Sequence, residues 1–268
     1  EHSTTAELWQ AMAELGWLGV TIPEQYGGLG MNLADAVPIV ESMGRYLMGS
    51  PFVATTLAAQ ALITSGTEQQ KSQWLGEIAA GAPASVALTE EDGNWRLQEI
   101  AATATASGDA LTLTGTKCFV LDAPQAKVMV VSVMLDGAAR LVLIQADQIP
   151  PGALTREVVI DETRRSYTLQ LDGISVPQRQ LLDGADFAAL EQAAMLLLVA
   201  EMSGGLAGVL HVIIDYLTTR KQFDEYIGSY QSLKHPSVQI LLSLEACRSH
   251  LYHAATVMAA GDTNAAEE

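Results

Sequence analysis

The chain has 268 residues, 49% of them hydrophobic, and a formal net charge of −17 at pH 7. Its length and apolar fraction indicate a folded protein of one or two domains with a large core. The acidic balance argues against nucleic acid or an anionic membrane surface as a partner, because both attract cationic proteins.

Cysteine usage and hydropathy bear on the compartment. Cys118 and Cys247 lie far apart without metal-ligand spacing, which predicts a reducing, cytoplasmic environment. The N-terminus has no basic start followed by an apolar run, so no secretory signal is expected.

The most apolar run, 193–200, lies between Glu191 and Glu201. It is too short to cross a bilayer, so it predicts a core helix and no membrane association.

Helical periodicity covers the first third of the chain. Apolar residues at helical spacing predict helices over 4–16, 32–47, 51–66 and 68–80, with Asn32 as an N-cap. The segment between the first two helices, from Leu18 to Met31, is punctuated by glycine and predicts a structural loop without a ligand.

The periodicity changes around Ser85. Short runs rich in β-branched residues, separated by Gly, Asp and Pro, predict strands at 85–89, 111–114, 117–121, 128–133, 140–145 and 167–171. Their regular spacing predicts a small barrel or sandwich.

Helix returns from Ala185. Helical patterns over 190–217 and 232–258 predict two long helices, joined by a helix-helix turn that carries Gly228. Three glycines in the first pattern indicate close approach by another helix or a cofactor; they are Gly204, Gly205 and Gly208.

Several kinds of site are not supported by the sequence. His250 and His253 lie one helical turn apart, but no further ligand accompanies them, so no metal site is expected. The chain also has no P-loop, and no Gly-x-Gly-x-x-Gly motif follows a strand.

Two stretches resemble signatures of the acyl-CoA dehydrogenases. The run from Ala13 to Gly30, Ala-Glu-Leu-Gly-Trp-Leu-Gly-Val-Thr-Ile-Pro-Glu-Gln-Tyr-Gly-Gly-Leu-Gly, is similar to their N-terminal signature. The sequence Arg-Lys-Gln-Phe from Arg220, followed by Ile-Gly and a Gln, resembles their flavin-binding signature. The resemblance implies an α+β, acyl-CoA dehydrogenase-like fold. Its parts would be an N-terminal helical domain (1–84), a middle β-barrel or sandwich domain (85–183) and the start of a C-terminal four-helix bundle (184–268).

The same resemblance implies an FAD site, which this family builds from two subunits. Segments 86–93 and 114–122 resemble the family's two flavin strands, with Phe119 in place of a Trp and Leu121 in place of a Thr. Leucine cannot donate the hydrogen bond that the Thr gives to flavin N5. The implied flavin contacts are Leu88, Thr89, Phe119 and Leu121 in the middle domain, and Arg220, Gln222, Phe223, Ile227, Tyr230 and Gln231 at the C-terminal turn.

Simpler interpretations of these residues stay open. A guanidinium matches a phosphate bidentately, but Arg220 and Lys221 would also be favourable as cations at a helix C-terminus. Thr89 and Phe119 could belong to an ordinary β-edge and core.

Two segments bear on the substrate. Residues 91–96, Glu-Asp-Gly-Asn-Trp-Arg, stand where most members have Pro-x-Ala-Gly-Ser-Asp, whose Ser contacts FAD phosphate or substrate. This departure predicts altered acyl specificity or a reduced role in substrate binding. Arg164 and Arg165 are conceivable CoA contacts, although solvated surface cations are the expected interpretation.

The implied reaction is FAD-dependent α,β-dehydrogenation of an acyl-CoA thioester. A carboxylate removes the α-proton, the β-hydride passes to flavin N5, and electrons leave to an electron-transfer flavoprotein. No catalytic base is identified. Ala194 occupies one family position for it, and Glu191 and Glu201 fall on other faces or levels of the helix. The base is therefore expected beyond Glu268 or on a partner subunit.

Three interpretations remain. The chain is a fragment of a standard enzyme, or one subunit of a heteromeric dehydrogenase for bulky acyl-CoA such as steroid side chains. In either case a homo- or hetero-oligomer, dimer or tetramer, is expected. The third interpretation is a flavin-free scaffold with the same fold.

Overall fold

The computed structural model describes residues 6–161 and 163–261. By its contacts the chain divides into two compact units. The first takes 1–31 and 49–194, and the second takes 32–48 and 195–268. The proposed division at 84 and 183 stays a prediction.

Each predicted helix is present, with ends shifted by a few residues. Asn32 caps the second one as expected, because its side chain accepts a hydrogen bond from the Ala34 N–H at 2.9 Å and Asp35 accepts one from the Asn32 N–H at 3.0 Å. The six α-helices of the described chain are α1 (Ala6–Glu14), α2 (Leu33–Arg45), α3 (Phe52–Ser65), α4 (Glu68–Ala79), α5 (Phe187–Thr219) and α6 (Gln231–Ala259).

Among the described residues of the first unit, nine strands form two sheets. A six-stranded sheet has the order β1-β5-β2-β3-β9, with β6 paired to β5, and a three-stranded sheet has the order β4-β8-β7. Both sheets contribute to one core, so the predicted β-barrel or sandwich is present. The strands are β1 (Ala84–Ala87), β2 (Thr103–Ser107), β3 (Ala110–Thr114), β4 (Thr116–Leu121), β5 (Val128–Leu135), β6 (Ala138–Gln145), β7 (Leu154–Arg156), β8 (Ser166–Gln170) and β9 (Ser175–Pro177).

The glycine-rich loop of the first unit folds onto its own backbone. Leu29 N–H donates to the Gly19 carbonyl at 2.8 Å, and Met31 N–H donates to that of Val20 at 3.0 Å. A Cβ at Gly28 would overlap the carbonyl oxygen of Ile22. Glycine is therefore required here by close backbone packing, as expected for a structural loop.

In the second unit, α2 and α5 pack so closely that their backbones are in contact. A Cβ at Gly204 would overlap the carbonyl oxygen of Glu41, and one at Gly208 would overlap that of Arg45. The predicted close approach at these glycines is thus made by a helix. The buried Glu41 carboxylate then accepts hydrogen bonds from α6, from Arg248 Nε and Tyr252 Oη, each at 2.7 Å.

The apolar part of α5 is longer than predicted. Glu191 and Glu201 do not interrupt the helix, which runs for 33 residues. By length and composition alone it could cross a membrane. Its most apolar 18-residue window has a mean hydropathy of 1.9 and is 28% buried within the structure.

The predicted turn between the two long helices is present and carries Gly228, but it contains a hairpin that the sequence did not predict. Between α5 and α6 the chain forms a short antiparallel hairpin of β10 (Lys221–Gln222) and β11 (Glu225–Tyr226). Phe223 and Asp224 are its two loop residues, with φ of 55° and 65°. Positive φ at both positions is the type I′ geometry that suits a two-residue hairpin.

Candidate functional site

The two segments that resemble flavin strands lie side by side in the first unit. Thr89 Oγ1 donates to the Cys118 carbonyl at 2.7 Å, and Cys118 N–H donates to the Thr89 carbonyl at 3.0 Å. Ser85 Oγ donates to the Leu121 carbonyl at 2.6 Å. Leu88, Thr89, Phe119 and Leu121 therefore lie on adjoining segments, and their contact with flavin stays a prediction.

Phe119 has a strained backbone and an exposed ring. Its φ is 58°, in the left-handed region that bulky residues rarely adopt, and 53% of its surface is exposed. It lies where the pairing of β4 with β8 shifts register, between Lys117 and Val120. Phe119 is thus not an ordinary core residue, and strain of this kind is typical of functional sites.

A buried ion pair lies beside these segments. Lys117 is fully buried, and its Nζ lies 2.6 Å from Glu90 Oε1 and 2.9 Å from Ser132 Oγ. Ser132 Oγ also lies 3.3 Å from the Leu88 carbonyl oxygen. Lys117, on β4, thus connects Glu90 of the first flavin-like segment with Ser132 of β5. Lys117 lies in the second flavin-like segment, 114–122, but its sequence context predicted no role for it.

The environment of this pair perturbs both groups. Burial lowers the pKa of Lys117, and the hydrogen bond and charge of Glu90 oppose that shift only in part. Burial acts to raise the pKa of Glu90, but hydrogen bonds from Lys117 and from the Ala102 and Ala101 N–H groups outweigh it. The net pKa of Glu90 is lowered.

Glu157 is a further residue that the sequence did not point to. Its Oε1 accepts hydrogen bonds from the Phe119 N–H at 3.1 Å and from Thr168 Oγ1 at 2.8 Å, and its Oε2 accepts one from Ser166 Oγ. Partial burial acts to raise the pKa of Glu157, but the hydrogen bonds from Ser166, Phe119 and Thr168 outweigh it and the net pKa is lowered. An ionised, acceptor-only carboxylate thus faces the strained residue.

Arg164 and Arg165 are half-buried, and their role stays a prediction. Burial lowers the pKa of Arg164, opposed by the charges of Asp161 and Asp122. Burial also raises the pKa of Asp122, opposed by the nearby arginines.

The second unit presents the Arg-x-Gln-Phe segment on the hairpin. Arg220 is exposed, and its guanidinium has no hydrogen-bond or ion-pair partner among residues 6–161 and 163–261. Gln222 is exposed on β10, and the Phe223 side chain at the hairpin tip is 89% exposed. These three side chains are therefore open to a ligand.

The hairpin is held by its own contacts. Ile227 N–H donates to the Arg220 carbonyl at 2.9 Å, and Tyr230 Oη donates to the Gln222 carbonyl at 3.0 Å. Lys221 Nζ lies 4.5 Å from the centre of the Tyr226 ring. Ile227 and Tyr230 are half-buried, and Gln231 is exposed at the start of α6. The six predicted C-terminal residues thus lie together.

No described residue is assigned as the catalytic base. Ala194 is half-buried, Glu191 is exposed and Glu201 is half-buried on α5. Within the part of the chain that the structure describes, no group of three or more His, Cys, Asp or Glu could hold a metal ion. A base beyond Glu268 or on a partner subunit stays a prediction.

Comparison with known proteins decides the family. Residues 1–82 match the model of the acyl-CoA dehydrogenase N-terminal domain, and residues 189–268 match that of the acyl-CoA dehydrogenase C-terminal domain. Acyl-CoA dehydrogenase FadE12 of Mycobacterium tuberculosis is 30% identical over 289 residues, covering 100% of this chain and 73% of FadE12. The chain belongs to the acyl-CoA dehydrogenase family. It is therefore a member of a family of oxidoreductases.

Other acyl-CoA dehydrogenases differ in substrate. Glutaryl-CoA dehydrogenase of Desulfococcus multivorans is 30% identical, with 98% of this chain and 72% of that protein covered. (2S)-methylsuccinyl-CoA dehydrogenase of Cereibacter sphaeroides is 26% identical, with 93% and 50% covered. These relatives support the family but do not single out one acyl group.

Solved acyl-CoA dehydrogenase structures share the fold. A Tcur3481-Tcur3483 steroid ACAD variant aligns with a TM-score of 0.86 and 29% identity, covering 97% of this chain and 70% of that one. The ChsE4-ChsE5 complex from Mycobacterium tuberculosis aligns with a TM-score of 0.85 and 26% identity, covering 97% and 70%. Both similarities extend over nearly the whole chain.

Proposed function

We propose that this acyl-CoA dehydrogenase family member binds FAD and takes part in the α,β-dehydrogenation of an acyl-CoA thioester, with electrons passing to an electron-transfer flavoprotein. FAD, when bound, supplies the hydride acceptor for this reaction. The cytoplasmic location predicted from the cysteines belongs to the same proposal.

The proposal rests on the backbone conformation and the exposure of two aromatic residues. Phe119 and Phe223 both have positive φ and exposed side chains, and both occupy flavin positions of the family motifs. The positive φ of Phe223 belongs to the type I′ hairpin, whereas that of Phe119 is strain of the kind found at ligand sites. This argues against the flavin-free scaffold.

The residues present fit FAD. The exposed guanidinium of Arg220 would hold a phosphate, and the amides of Gln222 and Gln231 would bond oxygens or ribose hydroxyls. The backbones of Leu88 and Thr89 would hold the ring edge, because the Thr89 hydroxyl donates its one proton to the Cys118 carbonyl, and Phe119 would supply an apolar face. Leu121 offers no side-chain donor, so only backbone groups are available at that position.

Arg220 provides the direct test. Replacing it with Ala should weaken FAD binding, because a charge-assisted hydrogen bond of about 1.5–3 kcal/mol is lost, which corresponds to roughly 10- to 150-fold in Kd. The measurement is flavin release followed by fluorescence. Lys127→Ala, which removes an exposed cation far away in sequence, is the matched control. Unchanged affinity in Arg220→Ala would remove the assignment.

A second candidate is one subunit of a heteromeric acyl-CoA dehydrogenase for bulky, steroid-type acyl groups. Supporting it are the steroid ACAD and ChsE4-ChsE5 structural neighbours, Leu121 in the Thr position and the altered segment 91–96. Trp95 in that segment is 69% exposed. Co-purification of a second, paralogous chain with the full-length protein would support this candidate, and a fully active homo-oligomer would exclude it.

The apolar surface of α5 supports assembly in either case. Side chains at alternating spacings of four and three residues form one stripe, and five of its members are 40–67% exposed. We define the α5 stripe as Met195, Val199, Met202, Leu206 and Val209. Such spacing is typical of helix-helix packing. We propose that further bundle helices or a partner subunit cover this stripe, so the length of α5 requires no membrane.

A further inference from the structure

The strained conformation of Phe119 has a specific polar partner. At this point of β4 the ladder to β8 is interrupted, and the Phe119 N–H donates to Glu157 Oε1 at 3.1 Å. A left-handed backbone is unfavourable for a bulky side chain, so contacts around the residue must maintain it. The carboxylate of Glu157 is such a contact.

Glu157 is itself fixed by its neighbours. It directly follows β7, and two hydroxyls of β8, those of Thr168 and Ser166, donate to its two oxygens. The two hydroxyls of β8 thus fix the orientation of the carboxylate, and its Oε1 also accepts the hydrogen bond from the Phe119 N–H. The connection runs from β8 through the carboxylate to the backbone that presents the aromatic ring.

We propose that Glu157 is a positioning residue for flavin binding, which acts by holding Phe119 in the bulged, left-handed conformation that exposes its ring. This inference rests on the proposed function, because the ring is taken to serve the FAD site. Glu157 acts as a hydrogen-bond acceptor here, so the position of its acceptor oxygens matters more than its negative charge.

The first test does not need flavin. In the flavin-free protein, hydrogen exchange at the Phe119 amide should become roughly 10-fold faster in Glu157→Ala, because the amide loses its hydrogen-bond acceptor. Glu157→Gln should keep the protection, since its amide oxygen accepts from Phe119 and Thr168 and its NH₂ group can donate to Ser166. Glu77→Ala, an exposed carboxylate on α4, is the control and should leave the exchange unchanged.

The second test uses FAD titration and the visible spectrum of the bound flavin. Glu157→Ala should raise the Kd by about 10-fold and alter the spectrum, while Glu157→Gln should stay within about 3-fold of wild type. Phe119→Leu should show the same change as Glu157→Ala. The double variant, Glu157→Ala with Phe119→Leu, should bind FAD no more weakly than Phe119→Leu alone. Both changes act on one contact, that between the Phe119 ring and the flavin.

Three results would overturn the inference. Equal losses in Glu157→Ala and Glu157→Gln would show an effect of charge rather than of position. Further weakening by Glu157→Ala in the Phe119→Leu background would show that Glu157 acts independently of Phe119. Unchanged amide exchange in Glu157→Ala would show that the carboxylate does not hold the bulge. A wild-type protein that takes up no flavin would instead remove the proposed function, and the flavin role of Glu157 with it.

Discussion

At the scale of single residues, the first unit depends on a lysine that is fully buried. Lys117 has its charge matched by Glu90 and its remaining hydrogen bonding supported by Ser132. A buried charge is tolerated only when it is paired, so removal of one partner is costly. This arrangement makes the pair a structural support for the flavin-like segments.

Lys117→Met should therefore destabilise the protein by about 3–5 kcal/mol, because it leaves the Glu90 carboxylate without its buried partner. The measurement is urea unfolding at pH 7. Lys71→Met is the control, since its Nζ is 3.5 Å from the exposed Glu68 and the pair lies on the surface. A loss below about 1 kcal/mol in Lys117→Met would contradict the role given to the pair.

The same pair predicts a pH dependence. The pKa of Glu90 is lowered in the folded state, so its stabilising contribution is complete above the unfolded carboxyl pKa of about 4.3 and is lost as pH falls through the folded value. Glu90→Gln lacks this contribution at every pH. The difference in unfolding free energy between wild type and Glu90→Gln should therefore shrink as the pH falls from 6 towards 3. A constant difference across that range would contradict the assignment.

Sequence reasoning reached some of these residues and not others. Thr89, Phe119 and Arg220 came from motif resemblance, and the structure places them on the expected segments. Glu157 could not be found that way, because its role depends on a contact 38 residues away across the small sheet. The left-handed backbone of Phe119 could not be predicted from the sequence either. A bulky residue adopts that conformation only where tertiary contacts hold it.

At the scale of elements, α2 and α5 of the second unit meet through glycine. Gly204 and Gly208 were noticed in the sequence as costly for a helix, and the structure supplies the reason: the carbonyl oxygens of Glu41 and Arg45 occupy the space of their missing Cβ atoms. Gly205, one residue further, has open space, with the Gly44 carbonyl oxygen 3.8 Å from an added Cβ. Gly204 and Gly208 thus serve close helix packing, and Gly205 does not.

This difference gives a matched pair of variants. Gly204→Ala should destabilise the protein by about 1–3 kcal/mol, because the added methyl forces two helices apart. Gly205→Ala should be neutral or stabilising by up to about 1 kcal/mol, because alanine favours helix. Thermal unfolding of both variants checks the prediction, and equal effects in the two would contradict the packing described.

Local pattern predicted the helices better than the small strands. β2 has the sequence Thr-Ala-Thr-Ala-Ser, whose small side chains give a weak strand signal, and β7 has three residues. β2 pairs along its length with β3, and β7 pairs with β8, so pairing with the next strand stabilises both. The hairpin between α5 and α6 was missed because its loop is Phe-Asp instead of a glycine-containing pair.

At the scale of the whole molecule, the α5 stripe leaves apolar surface without a partner in the described chain. Its spacing suits another helix, and the family resemblance predicts shared FAD sites. Assembly and cofactor binding are therefore expected to depend on each other.

Val209→Lys, at the C-terminal end of the α5 stripe, should shift the full-length protein towards smaller species, because a charge would be buried at a helix-helix contact. Sedimentation velocity measures the distribution. His211→Lys is the control, since His211 is exposed and lies off the α5 stripe on the same helix. An unchanged distribution in Val209→Lys would show that the stripe is not part of an assembly interface.

The most direct test of the account is the visible spectrum of the purified full-length protein, recorded alone and then anaerobically with a panel of acyl-CoA esters. We predict a flavin band that bleaches with at least one ester, or that bleaches once the partner subunit is added. A protein without any flavin band would contradict the assignment of Phe119, Arg220 and Phe223 to an FAD site, and would leave the fold without the proposed reaction.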